Sequence, residues 1–356
     1  MCAHLDHFSQ QSHKSAPYGW PDDFVHLHHW VLHVGITCGA SIFFIFADQE
    51  LEQMMSDNRK QGLITKQTLT DTELTEIEQL GHICDNYENL HVRIDWIKVR
   101  PQRGNETNDF LYYEDGILVG YLLVDAYGTE EVELSGMVHP DYRRKRIFTT
   151  LLAAAQQECR RRGVRKLVLV CEQSSRSGQA FIATRGAHHD FSEYRMVLET
   201  FREKMVFDDR LFFREAYQSD LEALVTILID GSDDTVEEVK SYIKEGFNEP
   251  YCHFYLATFG ETSLGCQDPA GCLRLYDMAD EVGIYGFVVR PDYRGRGYGR
   301  QMLEETIRTI QAGSQKRIML EVDTGNTNAI GLYRSAGFKE TTTYGYYSIA
   351  MEKQDF

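Results

Sequence analysis

Residues 288–299 read VVRPDYRGRGYG, and the pattern of the first seven residues occurs a second time in the chain, with five of the seven residues identical. Residues 137–143, MVHPDYR, carry the same pattern 151 positions earlier. A second pair of segments, 175–182 and 326–333, is separated by the same offset. Because one offset links strand-like, loop-like and helix-like segments, the chain is predicted to use one domain twice.

The repeat divides the chain of 356 residues into three parts. We assign residues 61–200 to the first copy and residues 211–356 to the second copy, with residues 201–210 joining them. Residues 1–60 then form a separate amino-terminal extension. Two domains also suit the length, because single hydrophobic cores rarely grow beyond about 250–300 residues.

The composition indicates a folded, acidic protein. Hydrophobic residues make up 42% of the chain and prolines number only 7, which is typical of globular domains. Asp and Glu outnumber Lys and Arg by 54 to 37, so nucleic acid is not an expected partner. The 8 cysteines form no C-x-x-C pair and the sequence shows no secretory signal, so we expect a cytoplasmic protein.

The extension is rich in histidine and in apolar residues. Residues 24–47 contain no Asp, Glu, Lys or Arg and are long enough to span a bilayer. The histidines within this segment and the acidic residues after it favour packing on the folded body over a membrane anchor. His26, His29 and His33 would share one helical face, but no Cys or carboxylate has matching spacing, so we expect no metal.

Strand-like and helix-like segments follow one another in each copy. In the second copy, residues 282–289 form a predicted strand that ends before Pro291, because proline cannot donate to a central ladder. A helix from about residue 297, a strand at residues 318–322 and a last helix follow. The order predicts an α+β fold in which each copy is a mixed, mostly antiparallel sheet flanked by helices. The apolar stripes of the two helices are Leu303, Ile307, Ile310, Ala329, Leu332, Tyr333 and Ala336.

Residues 294–299, RGRGYG, lie between a predicted strand and a predicted helix. Glycines let backbone N–H groups approach an anion, and the start of a helix adds unpaired N–H donors and a positive dipole. The segment lacks the G-x-G-x-x-G of dinucleotide folds and the G-K-S/T of nucleoside triphosphate loops. We therefore expect a ligand that carries a pyrophosphate.

The second copy resembles the GNAT superfamily of acyl-CoA-dependent N-acyltransferases. The family motif R/Q-x-x-G-x-G/A is met by Arg294, Gly297 and Gly299. The resemblance extends more loosely to the first copy and leaves the first sixty residues uncovered, and the tandem layout is similar to that of mycothiol synthase. The second family motif, N-x-x-A-x-x-L-Y followed by G-F, is met by Asn326, Ala329, Leu332, Tyr333, Gly337 and Phe338.

The resemblance implies that acetyl-CoA is the co-substrate and that it lies between two splayed strands. Its thioester would lie near Phe287, Val288 and Val289. Asn326 is a further candidate for contact with the donor, although its chemistry suits an N-cap of the last helix equally well. The pyrophosphate would be held by the backbone amides of Arg294, Gly295, Arg296, Gly297, Tyr298 and Gly299.

The resemblance also implies catalytic roles. Tyr333 is the implied general acid, because the family places a tyrosine hydroxyl beside the departing sulfur. A tyrosine buried in the core is the alternative interpretation. For the general base we name Glu281, at the start of the central strand, with Tyr285 as a second candidate. Gly283 stands where some family members carry a glutamate base.

The first copy departs from both motifs. A bulky loop and the loss of the tyrosine hydroxyl predict that it is not a working transferase and that it helps to wall the acceptor cleft. Its basic residues 143–146 either attract an anionic cofactor or face solvent. By the offset of 151, the replacements for Gly297, Gly299, Asn326 and Tyr333 are Arg146, Phe148, Ser175 and Ile182.

Together these patterns predict an acetyl-CoA-dependent N-acetyltransferase that acts on a primary amine of a small molecule or peptide. The second copy is the predicted active one. An acidic surface would favour a cationic acceptor. The alternative is a sensor or scaffold protein that binds acyl-CoA without turnover, against which the retained Tyr333 argues. No motif identifies the acceptor or the oligomeric state.

Overall fold

The computed structural model describes most of the chain from Lys60 onward. The candidate membrane segment at residues 24–47, with its histidine face, lies outside the described residues. The described ranges are residues 60–94, 99, 106–126, 131–204, 207–230, 235–260 and 268–351.

The described residues form twelve strands and seven α-helices. The strands are β1 (Gly62–Lys66), β2 (Asp109–Glu114), β3 (Ile117–Ala126), β4 (Glu131–Val138), β5 (Lys166–Glu172), β6 (His188–Leu198), β7 (Leu211–Glu215), β8 (Cys252–Phe259), β9 (Asp268–Asp277), β10 (Glu281–Val289), β11 (Arg317–Asp323) and β12 (Phe338–Ala350). The helices are α1 (Asp71–Glu88), α2 (Ile147–Arg161), α3 (Arg176–Ala183), α4 (Leu221–Leu228), α5 (Val236–Asn248), α6 (Tyr298–Gly313) and α7 (Thr327–Ala336).

The strands form a single sheet in the order β1-β2-β3-β4-β5-β12-β6-β11-β10-β9-β8-β7. Two neighbouring pairs, β4–β5 and β10–β11, are parallel, and the other neighbours are antiparallel. The predicted mixed, mostly antiparallel α+β fold is therefore confirmed. The two copies share one sheet, however, where we expected a sheet for each copy.

The two copies are joined because each gives its last strand to the other. Strand β6 of the first copy pairs with β11 of the second, and β12 of the second copy pairs with β5 of the first. The exchanged strands β6 and β12 also pair with each other along most of their length. Neither copy can therefore complete its sheet from its own residues alone.

Helices cover both faces of the sheet. On what we call the first face, α2 and α3 pack on the first copy, and α6 and α7 pack on the second. On the second face, α1 packs on the first copy, and α4 and α5 pack on the second. The predicted stripe residues Leu303, Ile307 and Ile310 of α6 are buried. Because successive side chains of a strand point to opposite faces, each strand contributes to two different environments.

The domain boundaries at residues 61–200 and 211–356 stay a prediction from the sequence repeat. The exchange of β6 and β12 makes the sheet continuous from one copy to the other, so the sheet itself marks no boundary. The linker that joins the copies packs on α6: the backbone N–H groups of Lys204 and Asp208 donate to Glu304 and Gln301. No helix in the described part of the chain has the length and hydropathy needed to cross a bilayer.

The strand exchange predicts that the second copy is not stable alone. In a fragment of residues 207–356, β12 would lose both neighbours and β11 would lose β6, which exposes unpaired strand edges. We expect a fragment of residues 60–356 to unfold in one cooperative thermal transition, followed by circular dichroism, and to be monodisperse in size-exclusion chromatography with light scattering. The shorter fragment should aggregate or associate. A stable, cooperatively folding monomer of residues 207–356 would contradict the exchange.

Candidate active site

The centre of the second copy contains a gap between two parallel strands. Strands β10 and β11 pair from Glu281–Arg317 to Ile284–Leu320 and then separate. At the point of separation, the register between β10 and β9 shifts between Tyr285 and Val288, which marks a β-bulge. Gly286 occupies this bulge with φ +54, in the left-handed region that favours glycine. The backbone of β10 beyond the bulge can therefore face an extended ligand.

The glycine loop follows directly after this gap. Gly295 and Gly297 have φ values of +74 and +88, and Gly297 is the N-cap of α6. No side chain caps the start of α6, so its first N–H groups remain available to a ligand. Arg294 Nε donates to the Val289 carbonyl at 2.7 Å, which fixes the loop to the end of β10. The geometry fits the predicted pyrophosphate site.

A cavity of about 440 Å³ lies beside the loop, between α6, α7 and the linker. Three of its lining residues are cations: Arg202, Lys204 and Arg300. Leu332 and Ser335 of α7 form part of the opposite wall. Glu203 also lines the cavity and Glu304 pairs with Arg300, so Arg202 and Lys204 supply the positive charge that favours an anionic ligand on the first face.

Tyr333 lies on α7 beside the bulged strand. Its ring centroid is 6.3 Å from that of Phe287 and 6.0 Å from that of Phe338, and the residue is 7% exposed. Burial raises the pKa of Tyr333 to about 12, so the hydroxyl keeps its proton at neutral pH. Among the described residues, none forms a hydrogen bond with this hydroxyl. The structure thus brings Tyr333 together with the strand predicted to hold the thioester.

The other residues predicted to bind the donor do not all lie on the same face of the sheet. The side chains of Phe287 and Val289 lie on the first face of the sheet, whereas Val288 packs with α4 and α5 on the second face. The Tyr298 side chain turns away to donate to Asp208 at 2.9 Å, so Tyr298 offers the loop only its backbone.

Asn326 is the N-cap of α7. Its side-chain oxygen accepts a hydrogen bond from the Ala329 N–H at 3.1 Å, and Ser175 makes the corresponding bond to Gly178 in α3. This arrangement supports the capping alternative, and contact of Asn326 with the donor stays a prediction.

The predicted bases lie away from the first-face cleft. Glu281 begins β10, six residues before Phe287, a separation of about 20 Å along an extended strand. Arg195 of the first copy binds its carboxylate at 2.6 Å, and Arg317 lies 3.7 Å from the same oxygen. The structure therefore does not bring Glu281 to the end of β10. Tyr285 lies on the second face, with its hydroxyl 3.6 Å from the Met319 sulfur.

A different carboxylate lies where the strands separate. Glu321 is the first residue of β11 beyond its last pair with β10, and it points to the second face opposite Arg195 of β6. Sequence reasoning missed this residue. The sequence pattern that could have identified Glu321 is the alternation within β11. Ile318, Leu320 and Val322 are buried on the first face, and Glu321 lies on the opposite face of the same strand.

Glu321 belongs to a charged group that both copies build, which we call the central carboxylate cluster: Arg93, Glu133, Glu193, Glu321 and Tyr346. Arg93 binds Glu133 at 2.9 Å and Glu321 at 3.2 Å. Burial opposes the charge of Arg93, but the carboxylates, Glu321 first, hold its pKa above the ordinary value. Burial raises the pKa of Glu193, although the Tyr346 hydroxyl donates a hydrogen bond to it. Arg93 thus pairs with Glu133 and Glu321 on the second face and also acts electrostatically on Glu193.

The corresponding gap of the first copy is filled. Strands β4 and β5 also separate, but β3 and β4 pair without a register shift, so no bulge forms there. Phe148 and Phe181 pack edge to face at 4.8 Å, and a Cβ at Gly136 would lie only 2.9 Å from the Phe148 ring. The space between the separated ends of β4 and β5 is therefore occupied by side chains.

The loop backbone is nevertheless the same in both copies. Arg144 and Arg146 have φ values of 68 and 63, matching Gly295 and Gly297. Left-handed conformations cost an ordinary residue about 1–2 kcal/mol each. The strand and helix on either side therefore impose the loop shape even without glycine.

Within the described ranges, no group of three or more His, Cys, Asp and Glu side chains could hold a metal ion.

Several proteins of known activity are similar to parts of this chain. The ribosomal protein bS18-alanine N-acetyltransferase of Salmonella typhimurium is 38% identical over 79 residues, which are 22% of this chain and 53% of that protein. The N-alpha-acetyltransferase RimI of Mycobacterium tuberculosis is 37% identical over 91 residues, which are 25% of this chain and 54% of that protein. The chain thus spans about half the length of these curated relatives.

Solved structures share the fold over most of the described chain. A GCN5-related N-acetyltransferase from Sphaerobacter thermophilus superposes with a TM-score of 0.67 at 18% identity, covering 82% of this chain and 97% of that one. A tandem GNAT protein from the clavulanic acid biosynthesis pathway gives a TM-score of 0.63 at 14% identity, covering 82% and 99%.

The family assignment rests on both copies. Residues 72–187 and residues 212–338 each match the acetyltransferase (GNAT) family, whose members use an acyl-CoA donor. The two matched segments contain both strand gaps and both helix-capping loops described above. The chain therefore belongs to the GNAT acetyltransferase family and carries two copies of its fold.

Proposed function

We propose that the protein transfers the acetyl group of acetyl-CoA to a primary amine of a small molecule or peptide, with the second copy as its active site. The observation that carries the proposal is that one short segment combines three features. These are the bulged gap after Ile284, the uncapped start of α6 and the buried Tyr333. The first copy has none of the side chains for this chemistry.

In the proposed complex, the donor enters from the first face. The amides of residues 294–299 hold the pyrophosphate, and Arg202 and Lys204 of the neighbouring cavity attract the negative charge of the nucleotide end. The pantetheine chain follows the separated part of β10, past Val289 and Phe287. No Cβ obstructs this path at Gly295 or Gly297, where an added methyl group would meet open space.

The transfer itself needs two proton movements. The nitrogen of the neutral amine attacks the thioester carbonyl carbon, and the carbon–sulfur bond breaks as the amide forms. Tyr333 donates its hydroxyl proton to the departing sulfur, which its raised pKa permits at neutral pH. The proton lost by the amine passes to a base on the opposite, second face.

We propose Glu321 as that base, acting directly or through a water molecule, in place of Glu281. Glu321 lies at the mouth of the gap, whereas Glu281 lies at the far end of β10 in an ion pair with Arg195. The partner of Glu321, Arg93, is shared with Glu133, so the carboxylate does not have an arginine of its own.

The acceptor would approach over the second face, between the helices of the two copies. The curated relatives are named for acetylation of an alanine of ribosomal protein bS18 or of an α-amine, which agrees with an amine acceptor. In this chain the first copy contributes Arg93 to the proposed acceptor side, which supports the prediction that it helps to wall the cleft.

Replacement of Tyr333 by phenylalanine tests the acid. We expect Tyr333→Phe to lower kcat by about 10²- to 10⁴-fold, because the sulfur loses its proton donor, with little change in the Kd of CoA. Thiol release from acetyl-CoA with a panel of amines gives kcat, and calorimetry gives Kd. Since the pKa of Tyr333 is about 12, its ionisation should not limit activity below about pH 11.

Tyr347→Phe is the matched control, because Tyr347 donates to Gln179 in the first copy, away from the cleft. An unchanged kcat in Tyr333→Phe would reject the assigned role. Wild-type protein that binds CoA but acetylates no amine in a broad panel would favour the sensor alternative.

The loop is tested by two alanine substitutions. Gly297→Ala should weaken CoA binding by about ten-fold or more, because the methyl group enters the proposed phosphate space and the φ of +88 disfavours alanine. Gly299→Ala should bind normally, since its Cβ would lie 3.5 Å from Val289, an ordinary contact. Since Arg146 adopts the same backbone in the first copy, Gly297→Ala should still fold, which thermal melting checks. Equal affinities for both variants would contradict the proposed site.

The base is tested by comparing two carboxylates. We expect Glu321→Gln to lower kcat/KM by about 10²- to 10⁴-fold at neutral pH, with partial recovery at high pH, where more of the amine is already neutral. Glu281→Gln should stay within a few-fold of the wild type. The pH dependence of kcat/KM, measured with the same amine, distinguishes a lost base from lost stability. A severe loss in Glu281→Gln with a normal Glu321→Gln would reverse the assignment.

A further inference from the structure

Arg274 lies on the second face beside the bulge. On β9 it is directly opposite Tyr285 of β10, the last residue before the register shift. Its guanidinium carbon is 4.5 Å from the ring centroids of both Tyr242 and Tyr276, and 5.9 Å from that of Tyr285. Three tyrosine rings from two strands and α5 therefore surround the cation and fix its position.

Within the described residues, no carboxylate forms an ion pair with the Arg274 guanidinium. Among the described residues, Arg274 has no ion-pair or hydrogen-bond partner, and its Nε is buried without an acceptor. The other covered arginines of the same face are paired: Arg93 binds Glu133 and Glu321, and Arg195 binds Glu281. Acidic residues outnumber basic ones by 54 to 37, so carboxylates are not scarce in this chain.

Buried polar groups in proteins are normally hydrogen-bonded, and an unmet donor on a charged group is costly. The arrangement around Arg274 therefore indicates a place for an acceptor group that none of the described residues supplies. The rings hold the guanidinium in place but leave its N–H groups to a ligand.

A small cavity lies between Arg274 and the bulge of β10. It reaches Gly286 at the bulge, and Leu228, Tyr242 and Cys272 form part of its apolar wall. Arg274 is the one charged residue among those that line it. Its volume of about 10 Å³ suits one small polar group such as a carboxylate oxygen.

We propose that Arg274 binds a carboxylate of the acceptor, so that the substrate of the transfer proposed above carries both an amine and a carboxylate. The inference rests on that proposed function and narrows its substrate class to short peptides and to amino acids whose reacting amine lies several bonds from the carboxylate. A guanidinium can donate two parallel hydrogen bonds to a carboxylate, which gives orientation as well as attraction.

The positions of the charges indicate how the acceptor lies. Arg274 lies opposite Tyr285 on β9 and β10, and Glu321 lies on β11 just beyond its last pair with β10; paired strands are about 4.8 Å apart, so the outer two strands are at least about 10 Å apart here. A carboxylate at Arg274 and an amine near Glu321 would span this row. The spacing favours an amine several bonds away from the carboxylate, as at the N-terminus of a short peptide. The central carboxylate cluster then receives the positive end and Arg274 the negative end.

Matched pairs of acceptors test the proposal on the full chain. The probes are L-amino acids and alanyl dipeptides, each compared with its C-terminal amide, together with diamines that carry no carboxylate. Thiol release from acetyl-CoA gives kcat and KM for each. We expect the free acids to exceed their amides by at least about ten-fold in kcat/KM. Arg274→Met should raise KM for the acids by a similar factor, leaving kcat, the KM of the amides and the Kd of CoA unchanged.

Two further variants separate recognition from folding. Arg274→Lys keeps the charge but not the paired donors, and should fall between the wild type and Arg274→Met for the acids. Arg317→Met removes an exposed cation from the same face and should leave the preference for acids intact. Thermal melting compares the stability of all three with the wild type.

The outcomes separate this proposal from the one on which it rests. Equal kcat/KM for acids and amides in the wild type, a preference for diamines, or equal losses for acids and amides in Arg274→Met would overturn the role of Arg274 while leaving acetyl transfer standing. Absence of transfer to every probe, with CoA still bound, would overturn both.

Discussion

The pairing of β6 with β12 is the interaction on which the rest of the structure depends. It places the last strand of each copy inside the sheet of the other, so the hydrogen bonds of β11 and β5 are completed only across the repeat. The exchange also brings Met196 of the first copy into the core beneath Leu320. The first copy is therefore part of the scaffold of the second, even though Phe148 fills its own gap.

Because the gap between β10 and β11 opens on both faces of one sheet, the active site has two chemically different sides. The first face combines helix N-terminal amides, Arg202 and Lys204, which suit an anionic donor. The second face combines carboxylates with Arg274 in a largely apolar pocket, which suits a zwitterionic acceptor. The alternation of side chains along β10 and β11 creates this separation, and Tyr333 and Glu321 stand on opposite sides of the thioester that we propose between them.

The two copies keep the same loop backbone with different side chains. Arg144 and Arg146 keep the left-handed loop of Gly295 and Gly297, since the flanking strand and helix impose it. Replacement of Gly299 by Phe148 and of Tyr333 by Ile182 removes the space for a donor and the proton for a leaving thiolate. Loop geometry alone is thus a poor guide to activity in a tandem protein, and the side chains around it decide.

The sequence by itself determined the repeat, the α+β elements and the residues of the pyrophosphate loop and α7, because these depend on local periodicity and on short motifs. It did not reveal the shared sheet, since β6 and β12 have patterns that would pair equally well within either copy. It pointed to Glu281, because that residue begins the central strand, and it missed Glu321. Only the tertiary structure decided which carboxylates and which arginine meet at the gap, because these side chains come from strands far apart in the chain.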